Sequence, residues 1–161
     1  IMRSYFGDAA ATSAAVGNGW LRTGDRGRVD ADGYLFIAGR IKEVMVTTAG
    51  DTLHPEEVEP YYASKAFADH CIVPLPGPDG NDTPALVVVP RDPDLSDELL
   101  DREFSDLRAA APARYRVMVI VRRNEALPRT LLGKLKRREL GESVAAGLLK
   151  NRPSPVGLTR A

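Results

Sequence analysis

Three charged residues in glycine contexts are the parts of this chain best suited to chemistry. Thr23-Gly24-Asp25 sets a carboxylate directly after a glycine, where a backbone can approach a ligand and the carboxylate can accept hydrogen bonds from two hydroxyls, as a ribose provides. Arg40 follows Gly39 and offers a guanidinium to the same sugar or to a phosphate. Gly133-Lys134 puts an ammonium at the tip of a flexible loop beside a residue with no side chain, an arrangement suited to delivering a cation into a pocket. Each has a plainer reading as well: a turn or cap aspartate, a solvated charge cluster, an exposed surface lysine.

Other chemistries lack their residues. The chain offers no Ser-His-Asp order, no paired histidines, and no phosphate-cradling glycine loop of the P-loop or dinucleotide type. Asp30-x-Asp32-Gly33 lacks the third acidic position and distal glutamate of a calcium loop, so turn chemistry accounts for it. Cys71 is the single cysteine; it allows no internal disulfide, gives no zinc spacing, and sets a reduced, cytoplasmic environment as the expectation. Lys plus Arg (22) equal Asp plus Glu (22), so overall charge points to neither nucleic acid nor an anionic membrane as partner. No apolar run approaches the ~20 residues of a membrane span. The first residue, Ile1 in place of a start methionine, gives the expectation of an excised C-terminal portion.

The elements that must position these residues can be read in order. With 43% hydrophobic residues among 161, the chain can build a core. An alanine-rich stretch before Val16 suits a short helix, and residues 20–38 read as two strands about the Asp30–Gly33 turn. Next comes a charged joint, Arg40-Ile41-Lys42-Glu43, which resists burial and is where two packed units would meet and pivot. Val44–Thr47 and the Ala49-Gly50-Asp51 turn predict a hairpin. Pro55 then starts a helix running to about Phe67, with acidic residues at its positive end.

Strands are expected at 70–73, 85–89 and 117–121, and the near-continuous apolar run at 85–89 predicts a strand covered on both faces. Ser96 caps a second helix with Leu99, Leu100, Phe104 and Leu107 as its buried stripe, and Pro112 marks its end. Arg122-Arg123-Asn124 should carry the third strand out to solvent, and a short basic helix should span Leu135 to about Leu140 before a weakly held tail. The order gives a small α+β domain, a hairpin and a three-stranded sheet packed on helices.

Taken together, the motifs point further. Trp20–Asp25 within GWLRTGD, Asp32-Gly33-Tyr34, Gly39–Glu43 (GRIKE), Gly50–Glu59 (GDTLHPEEVE) and Pro128–Lys134 (PRTxxGK) resemble, in this order and spacing, the late motifs of the adenylate-forming enzymes. These comprise acyl-CoA synthetases, peptide-synthetase adenylation domains and luciferases. The resemblance covers about residues 1–140, and the hairpin with its HPEEVE sequel looks most like long-chain fatty acyl-CoA synthetases and their fatty acyl-AMP ligase relatives. Two positions depart from the pattern: Ala49-Gly50 stands where Gly-Gly is frequent, and Leu131 and Leu132 are bulkier than the small or polar residues usual before the glycine.

The resemblance implies a division of labour. Residues 1–39 would end a large N-terminal adenylation domain as a remnant hairpin, residues 40–141 would form a mobile C-terminal lid, and 142–161 a tail. Asp25 would hold the ribose hydroxyls of ATP with Arg40 assisting, Lys42 would be the hinge, and Lys134 would enter the site for adenylation. The hairpin around Thr48, Ala49 and Gly50 would line the pantetheine tunnel during thioester formation. The implied reaction joins a carboxylic acid, expected to be a long-chain fatty acid, to the thiol of CoA through an acyl-AMP, with ATP, Mg2+ and CoA as cosubstrates. The alternatives are a ligase that loads an acyl carrier protein, or a lid-like module that binds other proteins without catalysis.

Overall fold

The computed structural model describes residues 2–47, 50–77, 80–150 and 158–160. The chain divides into two compact units, Ile1–Lys42 and Glu43–Ala161.

The first unit is built from local turns. Helix α1 (Ala9–Ala15) is capped by Asp8, whose carboxylate accepts from the Ala11 N–H at 2.8 Å. Strands β1 (Val16–Gly17) and β2 (Trp20–Leu21) pair across Asn18 and Gly19, both at positive φ (52° and 79°), the geometry of a two-residue hairpin turn. Trp20 therefore pairs backwards with Gly17 and does not open the next hairpin, as the sequence reading expected. That hairpin is β3 (Asp25–Val29) against β4 (Leu35–Arg40). Its turn is closed by Asp30, whose carboxylate accepts from the N–H groups of Asp32 (3.0 Å) and Tyr34 (2.9 Å).

The second unit opens with β5 (Met45–Val46) against β6 (Thr52–Leu53). Gly50, at φ 80°, donates to the Thr47 carbonyl at 2.8 Å; Thr48 and Ala49, expected at this tip, lie outside the described residues. Helix α2 spans only Pro55–Val58 and passes into a 3-10 turn, Glu59–Tyr62, short of the expected Phe67. Pro60 is the reason: it has no N–H for the helical ladder, and its ring crowds the preceding turn.

The main sheet comprises β7 (Phe67–Pro76), β8 (Asp82–Pro90), β9 (Val119–Arg122) and β10 (Leu158–Arg160), in the order β10-β9-β8-β7. β7 and β8 are antiparallel, while β8–β9 and β9–β10 are parallel, with helix α3 (Asp97–Ala110) in the crossover between β8 and β9. Three strands were expected; the fourth comes from the stretch read as a tail. Alternation sends Ile72, Leu86, Val88 and Ile120 to one core, with Tyr62, Leu100 and Phe104. Cys71, Val73, Ala85, Val87 and Val121 go to a second core on the other face, with Leu140 and Val144. Residues 85–89 are thus covered on both faces, in a small α+β domain of the kind the sequence predicted.

Three further expectations are corrected. Leu99 is exposed at 55%, leaving Leu100 and Phe104 as the buried stripe of α3 with Leu107 half-buried. Arg122 does not lead into solvent: it is buried and donates to the carbonyls of Leu95 (2.5 Å) and Pro93 (2.5 Å) and to Asp97 (3.0 Å). The C-terminal helix does not stop near Leu140 but runs as α4 over Arg137–Lys150, with Leu140 and Val144 buried. Gly141, just past the expected end of the helix, is an interior contact: a Cβ there would lie 2.6 Å from the Pro74 carbonyl oxygen, so the residue lets α4 pack against β7.

Candidate functional site

In the first unit, Asp25 and Arg40 face each other across the β3–β4 pair, and their side chains form an ion pair at 3.3 Å. Both are part-exposed, at 34% and 48%, so each keeps oxygens or N–H groups free for a ligand. The approach to Asp25 is shaped by Gly24 at φ 77°, by the Thr23 hydroxyl accepting from the Asp25 N–H (3.1 Å), and by the Gly24 carbonyl accepting from Ile41 (2.9 Å). Lys42 is exposed within a 3-10 turn, Ile41–Glu43, and the division between the two units falls immediately after it.

In the second unit, Lys134 sits on a tight turn, where the sequence suggested a slack loop. Thr130 and Lys134 exchange two bonds: the Thr130 N–H reaches the Lys134 carbonyl (2.7 Å), and the Lys134 N–H reaches the Thr130 hydroxyl (3.2 Å). Gly133, at φ 77°, donates to the Thr130 carbonyl (2.8 Å), a backbone conformation that glycine takes without strain. Lys134 itself is exposed, and among the described residues no partner holds its ammonium. Leu131 and Leu132 at the tip are almost wholly exposed, at 107% and 86%.

The stems of this turn carry residues to which the sequence reading assigned no role. Arg129 pairs with Asp69 on β7 (2.7 Å) and donates to the Gly133 carbonyl (3.1 Å). Arg137, at the start of α4, is buried; its Nε reaches Glu43 at 3.2 Å and its Nη1 reaches Glu59 at 2.5 Å and the Ile72 carbonyl at 2.6 Å. Glu59 in turn accepts from the Ile72 N–H at 2.8 Å, and Glu56 stands 3.9 Å from Arg137 Nη2. Burial alone would lower the Arg137 pKa, but the charge and hydrogen bond of Glu59, with the hydrogen bond of Glu43, raise it, so the guanidinium stays charged. Burial raises Glu56, against the opposing pull of its backbone hydrogen bond and of Arg137. Only the crowd of acids in the HPEEVE stretch hinted at such a cluster.

Cys71 is buried, and burial pushes its thiol up to about 12, which disfavours the reactive thiolate. Among the described residues no group of three His, Cys, Asp or Glu could hold a metal ion, and no helix is long and apolar enough to cross a membrane. The geometry therefore offers two local features: a part-exposed carboxylate with a guanidinium beside it, and an exposed ammonium on a braced turn.

No family profile matches the sequence. Individual proteins do. The indoleacetate–CoA ligase of Aromatoleum aromaticum is 33% identical over 147 residues, covering 90% of this chain and 28% of its own length. The long-chain-fatty-acid–CoA ligase FadD13 of Mycobacterium tuberculosis is 30% identical over 151 residues, covering 93% and 29%. Among solved structures, the anthranilate CoA ligase AuaEII in complex with anthranoyl-AMP superposes with a TM-score of 0.74 at 27% identity, over 89% of this chain and 28% of that one. The o-succinylbenzoate CoA synthetase of Bacillus subtilis with ATP and magnesium gives 0.68 at 29% identity, over 85% and 27%. The chain thus spans little more than a quarter of the length of the curated relatives it matches.

Proposed function

The chain belongs to the adenylate-forming enzymes, as the counterpart of the C-terminal portion of AMP-dependent acyl- and aryl-CoA ligases, and on that premise we propose that it is the lid and hinge of an acid–thiol ligase. In this reading the ligase joins a carboxylic acid to AMP and passes the acyl group to the thiol of CoA. The single observation that supports it most directly is Lys134, an exposed ammonium without a partner among the described residues, on a turn whose backbone is fixed.

The chemistry asks for such a group. A carboxylate attacking the α-phosphorus of ATP brings two anions together, and a cation at their meeting point lowers the barrier. The ammonium of Lys134 supplies that charge, while Asp25 accepts hydrogen bonds from the ribose hydroxyls and Arg40 steadies Asp25 by the ion pair. Magnesium, arriving with ATP as a cosubstrate, would supply positive charge to the leaving pyrophosphate. Thioester formation needs the same volume for a thiol, so the lid swings about Lys42, withdraws Lys134 and presents the hairpin that carries Gly50. The break between the units beside Lys42 supports the hinge reading.

A unit charge about 4 Å away is worth roughly 4 kcal/mol at an effective dielectric near 20. Lys134→Ala in the full-length ligase should therefore slow adenylation several hundredfold, about what that energy corresponds to. Thioester formation from supplied acyl-adenylate should survive, and adenylation at the wild-type rate would refute the reading. The 161 residues alone should release no pyrophosphate above background. The long-chain fatty acid is favoured by the hairpin motif and by the Mycobacterium relative, whereas the indoleacetate ligase favours an aromatic acid. Acid-dependent pyrophosphate release across both classes separates them.

A further inference from the structure

Glu43 and Lys134 are 91 residues apart in sequence, yet one guanidinium ties their neighbourhoods together. Arg137 begins α4 one helical turn after Lys134, and its Nε meets the Glu43 carboxylate at 3.2 Å. The same guanidinium is held from other directions by Glu59, the Ile72 carbonyl and, more distantly, Glu56. Glu43 is the first residue of the second unit, and two residues later Met45 is fully buried. The segment leaving the boundary is thus fixed at one point by an ion pair and at the next by the core. On the other stem of the lysine turn, Arg129 fixes the Gly133 carbonyl to Asp69 of β7.

We propose that Glu43 is a positioning residue for Lys134: its ion pair with Arg137 makes the exit from the hinge and the lysine turn one rigid piece, so that rotation at Lys42 places the ammonium at a fixed point. This rests on the reading of Lys134 and Lys42 given above. Glu43 touches no reacting atom; it acts through Arg137. Without it the first residues of the lid gain freedom relative to the lysine turn, and the ammonium arrives over a spread of positions. Misplacement of a catalytic group by about 1 Å can cost up to ~100-fold, so a partial loosening should cost about tenfold.

The separating variant is Glu43→Gln. Arg137 keeps Glu59 and Ile72, so its buried charge is not stranded, and the Glu43 side chain is itself 30% exposed. In the full-length ligase, Glu43→Gln, Lys134→Ala and the double variant are compared in single-turnover adenylation, in thioester formation from supplied acyl-adenylate, and in thermal unfolding. Glu43→Gln should slow adenylation about tenfold, leave KM for ATP and acid within about twofold, and leave thioester formation and the melting temperature essentially unchanged. In the Lys134→Ala background it should have no further effect, since a residue acting only through the lysine has nothing left to position. A wild-type rate for Glu43→Gln overturns the proposal. So does an equal loss with and without Lys134, or a loss that tracks a fall in melting temperature, because either marks an ordinary structural role. Were Lys134→Ala itself harmless, the ligase reading of that lysine would fall first; a slow Lys134→Ala with a normal Glu43→Gln removes this inference alone.

Discussion

The two units invite comparison because they meet opposite standards of self-sufficiency. Among the described residues of the first unit none is buried, and Trp20 (79%), Leu35 (65%) and Ile37 (64%) stand exposed on short hairpins. The second unit covers both faces of its sheet, with Ile72, Val73, Leu86, Val87 and Val88 all fully buried. Turns and paired strands shape the first, through Asp8, Asn18-Gly19 and Asp30; two layers of apolar contact hold the second. A two-stranded ribbon is marginal in water without a surface to pack against, whereas a sheet covered on both faces is not. The lesson is that the Asp25–Arg40 ion pair lies on a scaffold with no buried side chain among its described residues, while the lysine turn is braced by a unit with two buried cores.

Stability measurements put that contrast to the test. The largest expected effect is Leu86→Ala, which deletes a fully buried side chain and should cost about 3 kcal/mol in urea unfolding, against about 0.5 kcal/mol or less for the exposed Ile37→Ala. Equal losses would mean that the first unit contributes to the cooperative transition as fully as the second. Next is Gly141→Ala. A methyl group 2.6 Å from the Pro74 carbonyl must push α4 off β7, at about 2 kcal/mol, whereas a Cβ at Gly17 meets nothing within 4 Å, so Gly17→Ala should be close to neutral. The smallest is Glu56→Gln. Burial raises the Glu56 pKa above its ordinary 4.5, so folding favours its protonated form, and the cost of holding it ionised is present at neutral pH. The variant should therefore be slightly more stable than the wild type at pH 7, by less than about 1 kcal/mol after solvent screening. The advantage should vanish as pH falls through the raised pKa, where the wild-type carboxyl takes up its proton; a pH series of melting temperatures checks the sign.

What the sequence revealed follows the same divide between local and distant causes. Caps and turns were readable because each is completed within a few residues: Ser96 accepts from Leu99, and Asp30 from Asp32 and Tyr34. The apolar run at 85–89 announced a doubly covered strand because composition alone carries that signal. Arg122 was misread because the carbonyls that bury it belong to Pro93 and Leu95, on the far side of α3 in sequence. The end of α4 was placed too early, near Leu140, because a glycine that ends a helix and one like Gly141 that admits a neighbouring backbone look alike in one dimension. The motifs singled out Asp25, Arg40 and Lys134 as candidates, but the bond between Glu43 and Arg137 spans 94 positions and no pattern pointed to it.

The two bonds that Glu59 and Arg137 make to Ile72 bear on solubility. Strand β7 closes the sheet order on one side, and an unpaired strand border is where a foreign strand docks to start an aggregate. At Ile72 that opportunity is taken away, since Glu59 accepts its N–H and Arg137 donates to its carbonyl. The same two side chains that meet at the start of α4 also plug the border of the sheet in its middle, so losing Arg137 would leave the protein stickier as well as looser.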